Sequence, residues 1–195
     1  MLEFVTINSE EGHEILLHST AHLMAQAVKD LFPKAKVTIG PAIENRFYYD
    51  FDVEVPFTEK DLGMIEDKMR EMASQKQEVT RSEMTRDEAI DMFKKMDEPY
   101  KVEIISEIDP KDKISVYRQN SFIDLCRGPH VPNTGMIKHF KLLESSSASR
   151  PGNLVSKGRR IQLRASVKTI IATRFSGTVI GPKSSFIFLS SARPS

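Results

Sequence analysis

Between Ser9 and Pro33 the chain reads SEEGHEILLHSTAHLMAQAVKDLFP, a run whose periodicity is that of one long helix. Leu17, Ala21, Met24, Val28 and Leu31 recur at three- and four-residue spacing, which gathers them into a single apolar stripe. The Ser9 hydroxyl is placed to accept a free backbone N–H at the helix start, and Glu10 and Glu11 suit the positive end of the helix dipole. Pro33 has no N–H with which to continue, so the helix ends near Phe32. His18, His22, Ala25 and Lys29 occupy the neighbouring face. A stripe this long has to be covered by other parts of the chain.

The covering elements are mixed. LEFVTI ahead of the helix, then KVTIG and RFYYDFDVEV after it, alternate like strands and are rich in β-branched and aromatic residues. A second helix starts at Thr58, which has capping-box spacing to Asp61, and buries Leu62, Ile65, Met69 and Met72. Glu66, Asp67, Lys68 and Arg70 on it read as a solvated face. A third helix starts at Thr85, with Glu88 three residues on, and carries Ile90 and Phe93. YKVEIISEI and ISVYRQNSFIDLC read as further strands. The expected fold class is α+β, with antiparallel sheet or sheets packed against a long central helix.

Charge divides the chain. Residues 144–195 hold nine Lys or Arg, twelve Ser and one acidic residue, Glu144, for a net +8, whereas residues 1–143 carry −7. A basic, Ser-rich segment is expected to be irregular or disordered. It nevertheless contains the apolar runs TIIATRF and SFIFLSS, which a solvated arm usually lacks. One cysteine excludes an internal disulfide framework and points to a reducing compartment. No apolar run is long enough to span a bilayer, and MLEFVTINSEEG is not a secretory leader, so the expected location is the cytoplasm, without a membrane partner.

His18-Ser-Thr-Ala-His22 sets two imidazoles on one helical face, with β-carbons about 5–6 Å apart. Cys126-Arg-Gly-Pro-His130 repeats the four-residue spacing, but Gly128 and Pro129 exclude a regular helix, so this pair belongs on a loop after the strand ending at Leu125. Together His18, His22, Cys126 and His130 would make a tetrahedral N/S set suited to zinc. Each pair alone is common as surface or core histidine, and the spacing leaves metal and metal-free chemistry equally open. Tyr48 and Tyr49 are adjacent in a strand, so they face opposite sides and compete with a core role. Arg127 suits a phosphate or an acidic neighbour, Gly40 and Pro41 suit a turn, and His139 is expected to be structural.

Three blocks make the reading specific. HSTAHLMAQAVKDLFP, IGPAIENRFYYDFD and DLCRGPHVPNTGMIKHFKLL resemble consecutive blocks of bacterial-type threonyl-tRNA synthetases, over residues 1–143. The alanyl-tRNA synthetase editing domain shares the HxxxH and CxxxH pairs but not IGPAIENRFYYDFD or RGPHVPNTG. The resemblance implies the fold of the editing domain and hydrolysis of serine wrongly esterified to threonine tRNA. It maps functional positions onto His18, His22, Lys101, Asp124, Cys126 and His130, with Tyr49 and Arg127 as substrate-binding candidates. The implied roles are water activation by the histidines, positive charge from Lys101, and substrate amino or hydroxyl binding by Asp124. Cys126 is expected to position rather than attack. The implied partner is the acceptor end of threonine tRNA. Zinc in the editing site is left open. ATP, a second zinc and the homodimer contact belong in that family to a ligase core, which these blocks do not contain.

The resemblance divides the chain into residues 1–12, like the end of a small preceding domain, an editing domain over 13–143, and an aberrant 144–195. After KHFKLL the family continues Lys-Val-Ala-Gly-Ala-Tyr-Trp-Arg-Gly-Asp, while here Glu144-Ser-Ser-Ser-Ala-Ser-Arg follows, as from a shifted reading frame. Two other outcomes are set beside hydrolysis: a zinc- or tRNA-binding module without catalysis, and a non-functional fragment.

Overall fold

The computed structural model describes residues 4–6, 9–38, 40, 42–43, 46–147, 159–167 and 188–189. Among these, the expected long helix is α1, Glu10–Leu31. Ser9 caps it by accepting from Gly12 N at 3.1 Å, and Phe32 closes it ahead of Pro33. The helix is buried more completely than one stripe requires. Leu16, Leu23, Ala25 and Ala27 are as enclosed as Leu17, Ala21, Met24 and Val28. α1 is therefore the axle of the domain.

Strands β1 (Phe4–Val5), β2 (Lys36–Val37), β3 (Ala42–Ile43) and β4 (Arg46–Val53) surround the start and end of this helix in sequence. Phe47, Tyr49, Phe51 and Val53 alternate along β4 and are buried, as period-two patterning requires. Helix α2 (Glu59–Ser74) follows with the Thr58–Asp61 capping box and packs Ile65, Met69 and Met72 into the core that α1 and β4 share. The large antiparallel sheet has the order β2-β4-β9-β8, with β3 also on β4, where β8 is Phe140–Ser147 and β9 is Arg159–Val167.

Strand β9 bears on the segment expected to be irregular. It runs antiparallel between β4 and β8, pairing Tyr49 with Leu163 and Phe51 with Ile161. Ile161, Leu163 and Ala165 are buried, whereas Gln162, Arg164 and Ser166 alternate with them. That period of two is a strand signal which the net charge and serine content mask. β10 (Phe188–Leu189) pairs with β1. TIIATRF, most of SFIFLSS and Pro41 lie outside the described residues.

A smaller lobe carries β5 (Val79–Met84), β6 (Ile114–Gln119) and β7 (Phe122–Leu125) as an antiparallel sheet in that order. Helices α3 (Arg86–Lys95, with the Thr85–Glu88 capping box) and α4 (Pro99–Glu107) cover it through Ala89, Phe93 and Ile105. One reading sharpens here and one is overturned. ISVYRQNSFIDLC is a hairpin, turned at Asn120 with φ 54°. YKVEIISEI is a helix: Pro99 opens its first turn, and burying Tyr100, Lys101 and Ile105 outweighs the β-propensity of Val102, Ile104 and Ile105. Glu66 also departs from its expected solvated face. It is buried and accepts from Leu142 N at 2.9 Å and from Lys141 Nζ at 3.2 Å, tying α2 to β8.

The lobes are clamped through Glu98, the residue before α4. Its carboxylate meets Lys29 Nζ at 2.7 Å and accepts from Val37 N at 3.0 Å, while Lys29 also donates to Ala35 O. Replacing Glu98 with Ala leaves the ammonium without its counter-charge, held only by backbone carbonyls, and the Val37 N–H without its acceptor. Because Lys29 keeps some contact with water, the expected loss is at the low end for a broken buried pair, about 3 kcal/mol. Urea unfolding of Glu98→Ala against the parent measures it, and a loss below about 1 kcal/mol would place the pair in solvent.

Candidate active site

The axle and the loop after β7 meet at the site. α1 places His18 and His22 one turn apart, with ring centroids separated by 5.0 Å. The loop Cys126–His130 is anchored by Ser115, whose backbone O accepts from Cys126 N at 3.2 Å and whose hydroxyl donates to Cys126 O at 2.6 Å. Gly128 has φ +73°, and a Cβ there would stand 1.9 Å from Tyr117 Oη, so this turn accepts only glycine. Its N–H donates to Cys126 Sγ at 3.2 Å.

The four sequence-predicted ligands converge. His18 Nε2 lies 2.9 Å and His130 Nε2 3.2 Å from Cys126 Sγ. His22 joins through ring contact with His130, at 4.2 Å between centroids. All four donor atoms fall within 4.8 Å of one another, so this group can hold a metal ion. The donor types fit zinc, although the two sulfur–nitrogen distances are hydrogen bonds, tighter than the roughly 3.5 Å between atoms that share a tetrahedral zinc.

Behind the imidazoles sits a buried charge pair. Lys101 Nζ on α4 meets Asp124 Oδ1 on β7 at 2.5 Å, and also donates to Thr38 O at 2.8 Å and Tyr49 Oη at 3.2 Å. Tyr49 Oη donates to Asp124 Oδ2 at 2.5 Å, and His22 Nε2 stands 3.6 Å from that oxygen. The strand alternation that sets Tyr48 and Tyr49 on opposite sides resolves here: β4 brings Tyr49, the substrate-binding candidate, to the cavity, and Tyr48 does not line it.

A cavity of about 960 Å³ opens onto this array. His18, His22, Tyr49, Lys101 and Cys126 give it polar lining, and Ile104, Ile108, Ile114 and Leu125 apolar lining. Arg127 is exposed at its wall, while His139 is exposed and outside the cluster. Asp124 reaches the cavity through Lys101 and Tyr49 and does not line it. Two residues escaped the sequence reading. Ser19 lies between the histidine pair and contacts the far loop, and Tyr117 packs its ring 4.4 Å from that of His130. Only the position of Ser19 inside HSTAH hinted at either.

Burial sets the protonation of the cluster. It pulls His22 and His130 well below their ordinary value, with neighbouring imidazoles, and Lys101 at His22, adding to the effect, and it pulls the less buried His18 down less, with Asp124 opposing at His18 and His130. Burial also pushes the Cys126 thiol up to about 12, and pushes Tyr49 well above its ordinary value. The site near neutral pH is thus three uncharged imidazoles and a thiol.

Residues 114–160 match the family model of the threonyl and alanyl tRNA synthetase second additional domain. The match to that class takes in the loop pair Cys126 and His130. Within it, the chain is a segment of the threonyl-tRNA synthetase type. It is 57% identical over 147 residues to the threonine–tRNA ligase of Marinobacter nauticus, covering 75% of this chain and 23% of that protein. It is 52% identical over 174 residues to the threonine–tRNA ligase of Geobacter sp. strain M21, covering 89% of this chain and 26% of that protein. The chain thus spans about a quarter of the length of the curated relatives it matches. No helix among the described residues is long and apolar enough to cross a membrane.

Two outcomes follow from the geometry. The folded-state values of His22 and His130 lie below the ordinary 6.5, so the unfolded chain binds more protons as pH falls through that value. Stability is complete above it and declines below it, by up to about 1.4 kcal/mol per pH unit for each histidine. Urea midpoints at about pH 7.5 and about pH 5.5 should show this decline, and a flat profile would place both imidazoles in water. Gly128→Ala should destabilise by about 2 kcal/mol or more, since it combines positive φ with a clash against Tyr117. The same urea assay reads it.

Proposed function

We propose that this site hydrolyses the ester of serine misattached to threonine tRNA. The observation that carries the reading is the cavity in which neutral imidazoles face a buried lysine. The imidazoles can accept a proton from water, and the lysine offers positive charge to a developing oxyanion. The relatives' name, threonine–tRNA ligase, supplies the tRNA. A ligase pocket that holds threonine cannot sterically refuse serine, which is smaller by one methyl group worth only about 1–3 kcal/mol. A second, hydrolytic pocket answers that need.

In this reading His22 accepts the proton of the attacking water, and Asp124 at 3.6 Å offsets the resulting charge. Lys101, held by Asp124 and Thr38 O, faces the ester carbonyl. Tyr49 fixes the carboxylate that aims Lys101, so Asp124 and Tyr49 work through their neighbours. Arg127 at the cavity wall meets the phosphate of the tRNA end. Cys126 holds imidazoles through its sulfur; a thiol raised to about 12 is a poor nucleophile.

A second reading rests on the convergence of four donors within 4.8 Å. His18, His22, Cys126 and His130 would hold zinc, which would supply Lewis acidity and a more acidic bound water.

Purified chain incubated with seryl- and threonyl-tRNA separates these. The expected result is release of serine in preference to threonine. His22→Ala should slow it by about 10²–10⁴-fold, the range for a lost general base. A variant as fast as the parent overturns the assignment, and bound zinc without any deacylation favours the second reading.

A further inference from the structure

Ser19 sits on α1 beside His18 but faces the loop after β7. It is 1% exposed. Its Oγ accepts from Val131 N at 2.9 Å and lies 3.1 Å from His130 Nδ1. These two contacts decide the direction of a hydrogen bond. The Val131 N–H can only donate, so it takes one lone pair of the hydroxyl. The hydroxyl proton then has to find an acceptor. Among the described residues the ring nitrogen of His130 is the acceptor within reach. If His130 donated instead, a buried hydroxyl proton would have no partner, which is costly.

We propose that Ser19 is a positioning residue that holds His130 in the tautomer protonated on Nε2, so that this imidazole donates to the sulfur of Cys126.

The rest of the cluster follows from that one choice. Cys126 Sγ accepts from His130 Nε2–H and from Gly128 N–H, and its own proton is directed to His18 Nε2, 2.9 Å away. His18 then carries its proton on Nδ1. A one-way chain runs from the Val131 amide through Ser19, His130 and Cys126 to His18. It leaves His22 as the cluster imidazole outside the chain, with its lone pair uncommitted to sulfur. It also withdraws the Nε2 lone pair of His130 from any metal, because binding one would require the Ser19 bond to reverse. The tautomer stands on hydrogen-bond geometry alone; its consequence for catalysis rests on the hydrolase reading above.

The test uses the full chain labelled with ¹⁵N-histidine, in which long-range proton–nitrogen spectra distinguish the two tautomers. His130 is identified among the five histidines by its loss in His130→Gln. The expected result is an Nε2–H, Nδ1-unprotonated ring in the parent. An Nδ1–H ring there overturns the proposal, and this reading needs no variant of Ser19 to fold. In Ser19→Ala the ring should become a mixture of tautomers, and Ser19→Thr, which keeps the hydroxyl, should restore one form. Deacylation of seryl-tRNA should fall about tenfold or more in kcat, with little change in KM, for Ser19→Ala and recover for Ser19→Thr. Altered tautomers with an unchanged kcat would overturn the positioning role. A parent that shows the Nε2–H ring yet releases no serine supports the tautomer and removes the hydrolase reading instead.

Discussion

The buried Lys101–Asp124 pair is the contact on which the rest of the site depends. Neither charge could be enclosed alone, because each is almost fully removed from water. Enclosure is possible because every neighbour supplies a complementary group: Thr38 O and Tyr49 Oη for the ammonium, Tyr49 Oη–H for the carboxylate. Those partners come from α4, β7, β4 and Thr38, the residue after β2. The pair therefore fixes the distance between the two lobes as well as the charge behind His22. Such a network is all or nothing, since removing one member leaves another buried group unsatisfied.

A chain of side-chain amides makes the same join further along α1. Gln26, one turn beyond His22, accepts from Gln119 of the small sheet and donates to Gln77 at 3.0 Å. Gln77 N in turn donates to Thr134, whose hydroxyl donates to Met72 O at the end of α2. Apolar packing would hold the lobes together in many registers. Directional bonds between amides select one, and a site built from both lobes needs that selection.

What could be read from the sequence was local. The Ser9, Thr58 and Thr85 caps lie within a few residues of what they cap, and the histidine pairs have fixed offsets. What could not be read depended on distant partners. α4 looks like a strand until Lys101 and Ile105 are given something to face. β5, VTRSEM, carries no apolar alternation because it is a largely solvated edge strand, so its sequence gives no strand signal. β9 is a strand because β4 and β8 flank it, in a stretch where charge pointed elsewhere. Lys101 and Asp124 have no motif of their own. They were picked out by resemblance to a family, and the structure supplies the physical reason they stand together. The Ser19–Val131 bond spans 112 residues, beyond any local pattern.

Burial explains why the imidazoles resist protonation. Ile104, Ile108, Ile114 and Leu125 add apolar lining to the cavity beside the charged Asp112, Lys113 and Arg127. Without water to solvate a second positive charge near Lys101, protonating any of three imidazoles packed 4–5 Å apart is opposed by burial, and at His22 and His130 by the other rings as well. The same burial holds the thiol of Cys126 protonated. Helix α1 thus supplies His18 and His22, the loop after β7 supplies Cys126 and His130, and the small lobe supplies the charge pair beside them. A site divided this way can be tuned from the small lobe without altering either histidine pair.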